Sequence, residues 1–313
     1  MKVESTASGR DFLHKIYDSL LQIKNSYLIA YLARHPLYAF GFIVMAISLL
    51  LAIIGPYIVP HSPTIGVPGD QLLPPSSKYW FGTDSMAMDI FSRCIAAYRI
   101  DLLIALCGAL LAMAIGAPLG IFAGYFDGRR GGLGFLSMLI LRFMDVLQAF
   151  PIFVLALLLV AAFGPKPLNL ILVIAITNLP GNLRLARGEA LTLRDKTFVE
   201  AARASGNSEL RIAFRHVMPN AMTPVIALLS LVMGFGILLT AGLSFVGAGV
   251  EVPRPEWGSM IALGAPQMIT GQWWPSVFPG IFMAVTIFGF SMVGQAVTAL
   301  LDPLERVRMG FGR

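Results

Sequence analysis

Charge is what this chain has little of. Of its 313 residues only 13% are Asp, Glu, Lys or Arg, against 57% hydrophobic, and the mean hydropathy is +0.76. Soluble domains carry about 25% charged residues, so roughly half of the usual polar covering is missing. That excludes a soluble globular enzyme, because too few polar side chains remain to face water around so apolar a core. It also excludes a disordered chain, which needs low hydrophobicity and high charge. What remains is an integral membrane protein.

Groups for metal, redox or phosphate chemistry are equally scarce. Cys94 and Cys107 are the only cysteines; they form no CxxC pair and no metal spacing, so neither a redox site nor a disulfide framework is expected. His14, His35, His61 and His216 fall in different segments without an HExxH pattern. None of the six lysines follows a glycine, so there is no Walker A Gly-Lys pair to cradle a phosphate.

What is present is a series of long apolar runs. A spanning helix needs about 20 mostly apolar residues. Runs of that kind lie at about 37–59, 102–126, 133–163, 168–185, 223–250 and 277–301, which predicts six transmembrane helices. The third is overlong and holds Arg142 and Asp145; the fourth is interrupted by Pro180-Gly181, read as a kink. Residues 1–36 are expected to be a cytoplasmic N-terminal segment. The first run is too long for a signal-peptide core and is followed by Gly55-Pro56-Tyr57, so it reads as an uncleaved anchor.

Basic residues orient the spans. With the N-terminus inside, 17 Lys and Arg fall in the inside segments, counting Arg184 at the end of the fourth run, and 5 in the outside ones, Arg142 lying within a span. This bias predicts both termini cytoplasmic, and it accounts for the net charge of +6 without nucleic acid. Residues 302–313 are then a cytoplasmic tail and residues 60–101 a large extracytoplasmic loop. That loop carries Pro60, Pro63, Pro68, Pro74 and Pro75, then Tyr79-Trp80, which fit an interfacial aromatic belt or a substrate role alike. Thr83 or Asp84 is expected to cap a short helix through Asp89, Ile90 and Phe91.

The inside loop between the fourth and fifth runs is the most informative stretch. Thr197 and Glu200 have capping-box spacing, so a helix should start there. Gly206 can end it in the left-handed conformation, and Ser208 can cap a second helix. Leu210, Phe214, Val217 and Met218 then form one apolar stripe, with Arg211 and Arg215 on a solvent or partner face. Pro219 is expected to close the element before the fifth span. From these residues alone the helix pair either lies on the membrane or docks a cytoplasmic partner.

Here the chain resembles a known family. Glu200-Ala201-Ala202, Gly206 four residues later and Pro219 are similar to the EAA motif of permeases in bacterial binding-protein-dependent ABC importers. His35-Pro36-Leu37, Trp80-Phe81-Gly82-Thr83-Asp84, Asp89-Ile90-Phe91-Ser92-Arg93, Ala149-Phe150-Pro151, Leu243-Ser244-Phe245-Val246-Gly247 and Trp257-Gly258 resemble the dipeptide/oligopeptide/nickel branch, in the order of its C-type subunit. The likeness covers roughly residues 27–303. There are departures: Met86-Ala87-Met88 stands where the family commonly has Gly-Arg before the second Asp, and Ser205 where Leu is common.

The resemblance implies an all-α inner-membrane permease with a five-helix core at 102–301 and an EAA coupling loop at 197–220. Its implied partners are a homologous permease subunit, two cytoplasmic ABC ATPases, an extracytoplasmic substrate-binding protein and the lipid bilayer. No cofactor is expected on this chain, ATP and Mg being held by the ATPases. The coupling residues carried over are Glu200, Ala201, Ala202, Arg203, Gly206, Leu210, Arg211, Phe214, Arg215 and Pro219, with Glu200 either capping its helix or pairing with an ATPase base. Arg142 and Asp145, three apart, read as a structural pair in preference to a gate. Gly234, Gly236, Gly242, Gly247 and Gly249 suggest close helix approach. The cargo is not legible. A secondary transporter driven by an ion gradient is the alternative, and a membrane-embedded enzyme, lacking a convergent polar set, a weaker one.

Overall fold

The structure, a computed structural model, describes residues 31–301. Among them there is no strand, only an isolated bridge between Thr83 and Asp89. Helix α1 (Pro36–Ile58) opens on a proline at its first turn, where the missing N–H costs nothing. Its 23 residues extend about 35 Å, enough to cross a hydrocarbon core. Leu37, Phe40, Ile43, Ile47, Leu50 and Ile53 stay exposed on one stripe, as a lipid-facing surface requires. The opposite stripe of Gly41, Val44, Ser48 and Gly55 is buried.

The loop after α1 folds tightly on the next helix and is no mere connector. Thr83 Oγ1 accepts from Leu73 N at 2.8 Å, and Asp84 Oδ1 accepts from the N–H groups of Met86 and Met88, each at 2.9 Å. Asp84 thus closes a turn and caps no helix. Asp89 is the cap instead, accepting from Ser92 N at 2.9 Å at the start of α2 (Ile90–Tyr125). Ala87 sits at φ 60, in the left-handed region that favours glycine. Met88 is buried, its sulfur 2.8 Å from Arg93 Nη1. Arg93 is itself buried and donates to the carbonyls of Pro63 (2.9 Å) and Pro253 (3.1 Å), tying two loops together. Trp80 is exposed, but Tyr79 is not: its hydroxyl donates to Asp70 at 2.7 Å inside the loop. Of the two aromatic side chains, only Trp80 is therefore open to the surroundings.

The long third run is broken. Helices α3 (Gly132–Gln148) and α4 (Ile152–Phe163) meet at 93°. Pro151 lacks an N–H and bars helical geometry at Phe150. Helix α5 (Pro167–Leu193), in contrast, runs uninterrupted through Pro180. Thr177 and Asn178 donate side-chain hydrogen bonds to the carbonyls of Val173 and Ile174 one turn earlier, so their polar groups are satisfied within the helix.

Helix α6 (Thr197–Ala204) is followed by α7 (Glu209–Phe245). Pro219 does not end an element: it lies at the start of the Met218–Phe245 stretch, and the helix passes through it into the span. The short α8 (Trp257–Gly264) is capped by Glu256, which accepts from the N–H groups of Gly258 and Ser259, each at 2.7 Å. Helix α9 (Trp274–Leu301) completes the described residues. Among the described residues five helices are long and apolar enough to cross a membrane, six with the bent α3–α4 pair as one span.

The tightest packing is α2 against α5. A Cβ added at Gly108 would come 2.6 Å from Ile174, at Gly120 2.3 Å from Leu183 O, and at Gly124 2.5 Å from Arg187 O. Small residues are what bring helix backbones this close. Of the glycines expected to do this in the fifth run, Gly234 and Gly236 are looser, at 3.5 Å or more to their nearest neighbours across helices, but a Cβ at Gly242 would come 3.1 Å from Phe153 of α4.

Candidate functional site

The helix pair at 197–217 has a core beneath it. Val199, Ala202, Ile212, Ala213 and Val217 are buried with Phe122, Tyr125 and Phe126 of α2 and with Ala186 and Ala190 of α5. Each large apolar side chain contributes about 2 kcal/mol. The pair is therefore a rigid knob on the bundle and not a loose surface element.

Its local chemistry differs from the sequence reading in three ways. First, α6 starts at Thr197 with Lys196 as its cap position and no side-chain cap, so the Thr197–Glu200 capping box does not form. The Glu200 side chain is exposed and makes no hydrogen bond or ion pair among the described residues. Second, Ile212–Val217 is a π-turn. The wider turn breaks the i, i+4, i+7 stripe: Val217 goes inward with Ile212 and Ala213, while Leu210 and Phe214 stay exposed. Third, α7 carries this turn directly into its span. Two expectations hold in the geometry: Gly206 has φ 78, and Ser208 Oγ accepts from Arg211 N at 3.4 Å.

Of the sequence-selected residues, Glu200, Ala201, Arg203, Gly206, Leu210, Arg211, Phe214, Arg215 and Pro219 are all exposed, and Ala202 is buried. Phe198, Leu210 and Phe214 are exposed on this helix pair, which also carries exposed Arg211 and Arg215. Buried aromatics with Arg are the groups that dominate protein–protein contacts.

The residue that sequence reasoning missed is Glu209. Its carboxylate accepts from Tyr125 Oη (2.5 Å), Arg129 Nη1 (2.7 Å) and Arg203 Nε (2.8 Å). Arg129 also lies over the Tyr125 ring at 4.5 Å. Two arginines and a tyrosine from three segments thus converge on one acid, which holds the Arg203 guanidinium above its ordinary pKa. Arg203 is therefore turned toward its own chain. Nearby, Arg187 Nη2 donates to Asp127 at 2.8 Å and Arg194 Nη1 to Asp127 O at 3.0 Å, so the end of α5 grips the turn after α2. The only local signal for Glu209 was an acid in the first turn after Ser208, which reads equally well as a helix-dipole partner.

Arg142 and Asp145 are 3.9 Å apart, as their spacing predicts, but a third residue joins them: Arg184 of α5 lies 3.4 Å from Asp145. Among the described residues no group of three or more His, Cys, Asp or Glu could hold a metal ion.

The fold is a bundle of membrane helices with one bent helix pair and a helix pair set on a buried base, the kind of chain a family comparison can place. Residues 116–307 match the family described as binding-protein-dependent transport system inner membrane component, and residues 27–75 the N-terminal TM domain of oligopeptide transport permease C. The chain belongs to this family of inner-membrane permeases. It is similar to the probable D,D-dipeptide transport system permease protein DdpC of Escherichia coli (strain K12), 37% identical over 276 residues covering 88% of this chain and 90% of that one. It is 36% identical to the dipeptide transport system permease protein DppC of Alkalihalophilus pseudofirmus, covering 87% of each. A third relative is the glutathione transport system permease protein GsiD of Pectobacterium atrosepticum, 34% identical over 87% of this chain and 88% of that one. Among solved structures, the inward-facing MetNI methionine ABC transporter shares the fold, with a TM-score of 0.54 at 15% identity over 67% of this chain and 97% of that one.

Membership sets aside the stand-alone ion-driven transporter and the membrane enzyme. This is an inner-membrane, multi-pass transport component without an ATPase site or cofactor of its own. It works with ATPase subunits, which bind the ATP, and with a binding protein.

Proposed function

We propose that this chain forms half of the translocation pathway of an importer for short peptides, glutathione-like ones included, beside a homologous permease and above two ATPases. The relatives named for dipeptides and for glutathione support that cargo class. In this reading both termini and the 197–217 knob face the cytoplasm, in keeping with the 17-to-5 distribution of basic residues. Residues 60–101 then form the extracytoplasmic loop.

The observation that carries the reading is the knob: Phe198, Leu210 and Phe214 exposed beside Arg211 and Arg215 on a buried base. It docks in a cleft of one ATPase. Closure of the ATPase dimer on ATP moves the knob as a solid piece, and α7, continuous with it, carries the motion into the membrane. The bundle then shifts toward its outward-facing state, and hydrolysis resets it. Exposed Glu200 has no partner among the described residues and is left for a basic group on the ATPase.

Reconstitution with the second permease, the ATPases and the binding protein tests this. Dipeptide should accumulate in proteoliposomes only with ATP and the binding protein together. Uptake driven by an ion gradient without ATP contradicts the proposal.

A further inference from the structure

The α3–α4 break places charged and polar groups where a membrane protein can least afford idle ones. Asp145 lies between Arg142 and Arg184, 3.9 and 3.4 Å away, and the three side chains are 54%, 77% and 56% exposed. All three lie on membrane-crossing helices. Charges there are costly unless they pair within a bundle or face water, and these pairs are too long and open to neutralise one another fully. The arginine forks keep donors to spare.

The next turn of each helix lines one cavity. Gln148 lies three residues after Asp145, while Pro180 and Thr177 lie four and seven before Arg184; with Phe150 and Ile152 they line a space of about 340 Å³ at the 93° break. Helix α4 begins at this cavity without a side-chain cap. Non-helical backbone at membrane depth is tolerated only inside protein or beside a water-filled cavity, and this break opens on a cavity.

We propose that Arg142, Asp145 and Arg184, with the cavity at the break, form a waypoint site for a short zwitterionic peptide on its way through the membrane; this rests on the peptide reading above. The arginine forks take the peptide's α-carboxylate, which planar guanidinium groups bind bidentately. Asp145 takes its α-ammonium. Phe150, Ile152 and Leu155 give apolar walls that accept varied side chains without selecting one. The site thus recognises what all short peptides share and leaves side-chain selection elsewhere. Arg142 and Asp145 are then more than the structural pair their spacing suggests.

Gly181 provides a reporter. It is exposed one turn from Arg184, and a Cβ added there meets nothing within 4 Å. In the full reconstituted complex carrying Gly181→Cys and Cys107→Ala, dialanine supplied with binding protein and ATP should slow maleimide labelling of the new thiol about fivefold. Arg184→Gln or Asp145→Asn should remove that protection while ATP hydrolysis persists. Arg184→Lys, which keeps the charge but loses the fork, should restore part of it. Labelling that ignores dialanine during turnover overturns the site, as does protection that survives both neutralising variants. ATP-dependent dialanine uptake by the unaltered complex is measured in parallel; its absence contradicts the peptide reading itself, whatever the labelling shows.

Discussion

Glu209 shows how one side chain can make a knob rigid. Three donors from α2, the turn after it and α6 meet its carboxylate. Each hydrogen bond to a charged group contributes about 1.5 kcal/mol when buried, but here about a third of the acid is exposed, so screening reduces the sum. Glu209→Gln is expected to cost about 1–2 kcal/mol, a fall in melting temperature of a few degrees. In the reconstituted complex, more ATP should be hydrolysed per substrate carried, because the knob moves without pulling α2. An unchanged ratio counts against the clamp. On the large loop, Asp70 is held below its ordinary value of 3.8 first by the Lys78 ammonium and then by the Tyr79 hydroxyl. A lowered acid adds stability above its unfolded pKa and loses it as pH falls through the folded one. Protection of the amides across residues 70–84, measured against their intrinsic exchange rates, should therefore hold down to about pH 3.8 and fall below it. Asp70→Asn should exchange quickly at neutral pH.

At the scale of elements, backbone proximity decides which glycines matter. Gly120→Leu would drive a side chain into the Leu183 carbonyl, whereas Gly188→Leu on α5 meets nothing within 4 Å. The first should abolish recovery of folded protein after detergent extraction and the second should leave it near the wild-type yield; equal yields would mean the α2–α5 seam is not the close contact described. The run lengths made the spans legible, since a helix must satisfy its own backbone in lipid, and Ser208 and Gly206 announced the knob. Other features depended on tertiary context. The Ile212–Val217 π-turn leaves no mark in a helical pattern, so the stripe through Leu210, Phe214 and Val217 read as one face when it is two. Pro180 read as a kink and Pro219 as the close of an element, whereas the helix runs on through each of them, an outcome that composition does not show. Pro151 did break its helix, with nothing to restore the backbone. The Glu209 clamp brings together residues about 80 positions apart, and short-range spacing says nothing about such pairs.

For the whole molecule, coupling is a matter of continuity. Knob, π-turn and span are one stretch of helix from Glu209 to Phe245, anchored sideways to α2 and α5, so force applied to the exposed face has a direct route into the bundle. The central claim is that this face docks an ATPase. The most direct test is affinity purification of the complex in detergent, comparing the natural chain with Phe214→Asp, which puts a charge on the exposed face without touching the buried base. The account predicts that the second permease is recovered in both cases and that the ATPases are lost from the variant. ATPases retained at the natural level by Phe214→Asp would contradict it and place the coupling elsewhere in the chain.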